Sequence, residues 1–328
     1  MGISRRDALA GSLSLLSTLF LAGCPDSASG PPKPKGPLSV VTTTGMVTDM
    51  VRGIVGDKAE VIGLMNEGVD PHLYKPTVAD TGRLLKADVI VYSGLHLEGR
   101  MEEAFEQAER RGIRVIAVTG GLAPHEVLHP SGSEHPDPHV WGNAELWGRC
   151  AEYVGRRLAE FDAANADAFK ARAVAYQGRL NVMHGFAEKA VASIPEGQRH
   201  LVTAHDAFSY FSHAYKIPVR SVQGITTDSE PGVKDIVDLR KFLVENKIPA
   251  IFIETSVNAR MLQAVVEGAQ EDGWAVKVSG TLYSDAMGKE GTYEGTYEGM
   301  FDHNVTTITR ALGGNAPEAG LNGKLGER

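Results

Sequence analysis

The sequence has two cysteines among 328 residues, too few for a disulfide framework, so the fold must rest on its apolar core. It has no block of clustered Lys and Arg: 33 basic residues face 41 acidic ones, for a formal net charge of −8. Phosphate recognition needs concentrated positive charge, so nucleic acid is excluded as a partner class. No long-period repeat is present, which excludes solenoid and propeller arrays. The 16 prolines and 37 glycines are partly concentrated near the N-terminus and are too few for a disordered chain. What remains is a soluble globular composition, 42% hydrophobic and 23% charged, long enough for two lobes with their own cores.

The first 24 residues read as an address. Arg5 and Arg6 precede an uncharged apolar stretch from Ala8 to Leu21. That is shorter than the roughly 20 residues an ordinary membrane-spanning helix needs, and it has the proportions of a signal-peptide core. It ends in Leu21-Ala22-Gly23-Cys24, which resembles the bacterial lipobox, whose cysteine receives a diacylglycerol before cleavage. Residues 1–23 are therefore expected to be a lipoprotein signal peptide, with Cys24 the lipid attachment site outside the cytoplasmic membrane. Ser4-Arg5-Arg6-Asp7 resembles a twin-arginine signal, and Sec export is the alternative. Residues 24–37, rich in Pro, Gly and small polar residues, fit a flexible tether. Cys150 lies in a helical stretch and is expected in the core.

Short β-branched runs recur from there on, each followed by a turn or a helical pattern. They are Leu38–Thr44, Ala59–Met65, Asp88–Ser93 and Arg114–Val118, then His200–His205, Pro218–Ile225, Ala250–Glu254 and Ala275–Ser279. The alternation predicts an α/β fold with a mainly parallel sheet flanked by helices in each half. Between the halves, Asn143–Ile194 has helical periodicity and no proline, with apolar positions at Leu146, Tyr153, Leu158, Phe161, Phe169, Val174, Leu180 and Met183. A break near Ala163–Asp167, capped by Asn165 or Asp162, would leave a second helix roughly 40 Å long, enough to join two lobes. The expected division is an N-terminal lobe 38–162, a linking backbone helix 163–195, a C-terminal lobe 196–315 and a tail 316–328.

Three histidines and one carboxylate sit at or after predicted strand ends: His72 in Asp70-Pro71-His72, His139 in Asp137-Pro138-His139, His205 in Thr203-Ala204-His205-Asp206, and Asp285 in Tyr283-Ser284-Asp285. In open α/β sheets such strand ends converge on ligand clefts. Proline fixes its own φ and restricts the preceding residue, so the repeated Asp-Pro-His is expected to hold each imidazole in place.

These residues carry a family likeness. Asp70-Pro71-His72-Leu73-Tyr74-Lys75-Pro76, Ser93-Gly94-Leu95-His96-Leu97-Glu98, Asp137-Pro138-His139-Val140-Trp141, His205-Asp206-Ala207-Phe208-Ser209-Tyr210-Phe211 and Tyr283-Ser284-Asp285-Ala286-Met287-Gly288 together resemble the substrate-binding lipoproteins of metal-importing ABC transporters. This is the cluster A-I or TroA-like family, some members of which are labelled adhesins. The likeness runs from about Val40 to Leu312. It implies two α/β lobes joined by one rigid backbone helix, with one divalent metal in the cleft. The metal would be held by His72 and His139 of the first lobe and His205 and Asp285 of the second. It also implies a monomer that delivers its cargo to a membrane permease.

Three neutral imidazoles and one carboxylate suit a divalent cation and should lose it in acid. A nitrogen-rich set favours zinc, a carboxylate suits manganese, and iron is a minor alternative. Glu254, ending a predicted strand, could orient a ligand imidazole. His96 is expected to pack near the cleft without binding metal. The His125/His129/His135 segment resembles, in a shorter form, the His-rich loop of zinc-importing members. Asp285 lies in Ser279–Gly291, where Gly280, Gly288 and Gly291 would let the backbone change cheaply. The competing classes are a surface adhesin or scaffold lipoprotein and a secreted zinc hydrolase. Hydrolysis would need an open coordination position and a general base, and no HExxH helix accompanies the site.

Overall fold

The structure, a computed structural model, describes residues 36–130, 133 and 135–326. The expected signal peptide, Cys24 and most of the tether lie outside the described residues.

The first half is one parallel four-stranded sheet. β1 (Leu38–Thr42) is flanked by β2 (Ala59–Gly63) and β3 (Val89–Tyr92), and β4 (Arg114–Ala117) pairs with β3. Thr44 caps α1 (Gly45–Val55), its hydroxyl accepting from the backbone of Val47, and Met46, Val47, Met50, Val51, Ile54 and Val55 of that helix are buried. A reciprocal Thr77–Asp80 capping box starts α2 (Val78–Leu84), and α3 (Glu102–Arg110) follows.

The long middle is two helices, α4 (Ala144–Phe161) and α5 (Ala166–Ala192). At 1.5 Å per residue the 27 residues of α5 span about 40 Å. Asn165 occupies the N-cap position of α5 without bonding through its side chain. Asp162 ties the turn instead, accepting from the amides of Ala164 and Asn165 and from the Asn165 side chain. The buried stripe of α5 is Phe169, Ala173, Tyr176, Leu180, Met183, Ala187, Ala190 and Val191, spaced by threes and fours, whereas Val174 is 58% exposed. Gly148 and Gly155 let α4 lie close to α5. A Cβ at Gly155 would sit 2.5 Å from the Cβ of Ala173, and one at Gly148 would sit 2.9 Å from Gln177. Cys150 is fully buried, as expected, and burial pushes its thiol up to about 12.

The second half has β5 (Leu201–Thr203), α6 (Ser209–Tyr215), β6 (Val219–Ser221), α7 (Val233–Glu245), β7 (Ala250–Glu254), α8 (Arg260–Glu271), β8 (Lys277–Leu282) and α9 (Tyr297–Ala311). Instead of one continuous sheet it forms two parallel pairs, β5–β6 and β7–β8, with β5 beside β7. Just past β5 the amides of Ala204 and His205 go to the Glu254 carboxylate at the end of β7. α5 packs against α1, α4, α6 and α9, so a single apolar core runs from the first sheet to the last helix. The segment after α9 folds back: Ala316 is buried, and Asp302 accepts from the amide of Leu321 at 2.8 Å.

Candidate metal centre

His72 lies in the loop after β2, His139 in the connection between β4 and α4, His205 two residues past β5, and Asp285 three past β8. The fold brings all four together. Each offers one ligand atom, these atoms lie within 4.8 Å of one another, and all four residues are buried. His72 Nε2 is 3.3 Å from His139 Nε2, and His139 Nε2 is 3.3 Å from Asp285 Oδ1. His205 Nε2 is 3.1 Å from Asp285 Oδ2, and His72 Nε2 is 3.9 Å from the same oxygen. A tetrahedron with metal–ligand bonds near 2.1 Å has edges of about 3.4 Å.

The donor atoms fit a cation for a second reason. Both oxygens of Asp285 and Nε2 of His205 are buried with no hydrogen bond of acceptable geometry, although their neighbours are close. A carboxylate buried without well-formed hydrogen bonds is costly, and a metal at the shared centre would satisfy these atoms together.

The imidazoles are aimed from behind. His139 donates its Nδ1–H to Asp137 Oδ1 at 2.8 Å, and its backbone N–H goes to the same oxygen at 2.9 Å. His205 donates Nδ1–H to Glu254 Oε2, while the backbone amides of Ala204 and His205 hold Glu254 Oε1 at 2.8 and 2.9 Å. In both, the carboxylate selects the tautomer that leaves Nε2 facing the centre. Glu254 thus has the contact expected for an orienting acceptor. His72 is held through its main chain, its N–H donating to Asp70 Oδ1 at 2.9 Å.

Asp137 is the residue that sequence reasoning missed. Proline was given the positioning role in Asp-Pro-His, but the aspartate makes the contacts. The signal was present, since a carboxylate two residues before each histidine can reach back to that residue's own amide, as an Asx turn does.

Charge follows the geometry. Burial opposes protonation of His139, but the Asp137 and Asp285 carboxylates outweigh it and push the ring up to about 9. Burial also opposes charge on His205, and Glu254 and Asp285 raise it well above the ordinary histidine range. His72 is driven down to about 4, chiefly by burial, although Asp285 opposes this. Asp285 is held well below the usual carboxylate range: burial would raise it, and the His205 and His139 rings prevail.

Two tryptophan contacts lock the frame. Trp141 Nε1–H donates to the carbonyl of Ser284, next to Asp285, at 2.8 Å, and the Trp141 carbonyl accepts from the Tyr297 hydroxyl at 2.7 Å. Outside the centre, a cavity of about 380 Å³ opens beside His72, with His96 and His135 on its wall. His96 is stacked on His135 with ring centroids 4.0 Å apart and pairs with Glu102. It lies at the mouth and not among the converging atoms.

With this geometry in hand, comparison with known proteins is direct. Residues 40–311 match the family described as zinc-uptake complex component A, periplasmic. The manganese-binding lipoprotein MntA of Bacillus subtilis (strain 168) is 42% identical over 299 residues, covering 91% of this chain and 97% of that protein. The zinc-binding protein TroA of Treponema pallidum (strain Nichols) is 42% identical over 274 residues, covering 83% and 88%. The solved structure of the periplasmic zinc-binding protein TroA from Treponema pallidum superposes with a TM-score of 0.81 at 41% identity, covering 84% of this chain and 99% of that one. The chain belongs to the family of zinc-uptake complex component A.

Proposed function

We propose that this protein is the extracytoplasmic substrate-binding component of an ABC importer. It captures one divalent manganese or zinc ion per chain between His72, His139, His205 and Asp285 and passes it to a membrane permease. The observation that carries this reading is the convergence of three buried imidazole nitrogens on the buried Asp285 carboxylate. Relatives named for manganese and for zinc support a transition-metal cargo of either kind. Cargo choice then depends on the metal available, because a three-imidazole, one-carboxylate set accommodates both.

The protein is a binding protein and not an enzyme. Asp137 and Glu254, the acidic groups nearest the imidazoles, are each committed to orienting one, and four protein donors fill a tetrahedral shell. The division proposed is a lobe 38–162, a linking helix 163–195 and a lobe 196–315. The run of α5 along both halves and the supply of two ligands from each support it. We further propose anchoring through lipid on Cys24 and action as a monomer at the outer face of the membrane.

Protein purified without added metal should carry close to one equivalent of zinc or manganese by elemental analysis, and His139→Ala should carry none. Competition between the two ions would then rank the cargo. Undiminished retention in the His139 variant would refute the ligand assignment. Replacement of Cys24 by Ser should release the protein from membranes without changing metal content.

A further inference from the structure

The established geometry leaves one link between the halves without a role. The segment Gly224–Ser229, which follows β6, crosses to the His72 loop of the first half. Thr227 donates its hydroxyl to Asp70 Oδ2 at 2.6 Å. The other oxygen of the same carboxylate, Oδ1, holds the backbone N–H of His72 at 2.9 Å. One residue later, Asp228 pairs with Arg100, whose guanidinium also donates to the carbonyl of Leu73 at 3.4 Å. The residues on either side of His72 are therefore both fastened to this one segment.

At its other end the segment is fastened to His205. The amide of Gln223 donates to the carbonyl of Ala204 at 3.0 Å, and the amide of Asp206 to the carbonyl of Gly224 at 3.3 Å. The Gln223 side chain then holds the carbonyls of Thr227 and Ser229 at 3.2 and 2.8 Å. A continuous set of hydrogen bonds runs from the His205 turn, through Gln223 and Thr227, to Asp70 and His72. Thr226 and Asp228 also wall the cavity beside His72.

We propose that Gly224–Ser229 is a clasp on the metal centre and that Thr227 is a positioning residue. Its hydroxyl fixes Asp70, and with it His72, from the second half. The inference rests on the four-ligand reading and goes beyond it, because Thr227 and Asp70 touch no metal. Removing the hydroxyl frees Asp70 to turn toward water and loosens His72, the one ligand imidazole held through its backbone rather than by a carboxylate on the ring. The effect is expected in metal release, since loosening His72 weakens the hold on an ion already bound.

The test is stopped-flow release of Zn²⁺ and Mn²⁺ into excess chelator, together with association rates and melting of the metal-free protein. Thr227→Val should release metal about tenfold faster, as expected for losing one hydrogen bond to a charged acceptor. Its association rate and metal-free melting temperature should match wild type, and Thr227→Ser should restore slow release. Stoichiometry distinguishes the two readings. If wild type binds one equivalent and His205→Ala none, while Thr227→Val releases at the wild-type rate, the clasp is wrong and the centre stands. Equal losses in Val and Ser variants, or a lowered metal-free melting temperature in both, would make Thr227 merely structural and overturn the proposal. A wild-type protein that binds no metal overturns both readings.

Discussion

Asp137 grips His139 twice through one oxygen, taking the ring Nδ1–H at 2.8 Å and the backbone N–H at 2.9 Å. Both residues are fully buried, so this carboxylate fixes ring direction and tautomer without competition from water. Asp137→Asn keeps the shape but removes the charge. Its metal affinity should fall roughly 10- to 100-fold, the usual cost of losing an orienting partner. Isothermal titration with zinc would measure the loss, and circular dichroism would verify an intact fold. Unchanged affinity would show that the charge of Asp137 is not what orients the imidazole.

The same carboxylates make metal binding a proton exchange. In the metal-free protein the neighbouring carboxylates push His139 up to about 9 and His205 above its ordinary range, so both rings favour the protonated form. His72, driven down to about 4, is already neutral. A metal needs all three neutral, so its entry expels protons from His139 and His205. Apparent affinity should therefore rise with pH through the neutral range, and its pH dependence should steepen once acid also protonates His72 near 4. Titration calorimetry in buffers of different ionisation enthalpy should register about two protons released per metal at neutral pH. A buffer-independent enthalpy would contradict this.

The mouth histidines should be dispensable for tight binding. His96 is stacked on His135 and paired with Glu102, and His125, His129 and His135 are exposed. Replacing all four by Asn should leave one equivalent bound at near-normal affinity. Loss of the equivalent would move the metal centre outward.

The legible parts were those with a local signature. All eight β-branched runs became strands, because strand periodicity and the turns around it are local properties. His72, His139, His205 and Asp285 were nameable from their family segments, and the fold brings them together. What stayed hidden depends on distant partners. The second half forms two strand pairs in place of one sheet, and just past β5 Glu254 takes the amides of Ala204 and His205. Val174 fits the apolar pattern of its helix yet points away from the core, a choice made by which neighbours α5 meets. Gly280 reads as a hinge but lies inside β8, where a Cβ would sit 2.5 Å from Thr307. Its small size serves close packing against α9 and not freedom.

That last difference sharpens what Asp285 does. β8 runs to Leu282, so the movable part of 279–291 begins only beyond it. Tyr283 is pinned by Asn304, which accepts from its amide at 2.9 Å and donates to its carbonyl at 2.6 Å. Farther on, the amide of Gly288 donates to the Glu294 carbonyl at 2.8 Å, and Gly291 alone of the three glycines uses a positive φ, +86°. Between these pins the buried Asp285 carboxylate makes no well-formed hydrogen bond and faces the His139 and His205 rings, so a bound metal would be its main restraint. Asp285→Ala should weaken metal binding by more than the roughly hundredfold that losing an orienting partner costs. Hydrogen exchange should then show 284–287 unprotected with or without metal, while 279–283 stays protected in every state. In the wild type, metal should protect 284–287. Equal protection of 284–287 in wild type and variant would mean that the flanking pins, and not the carboxylate, hold this ligand in place.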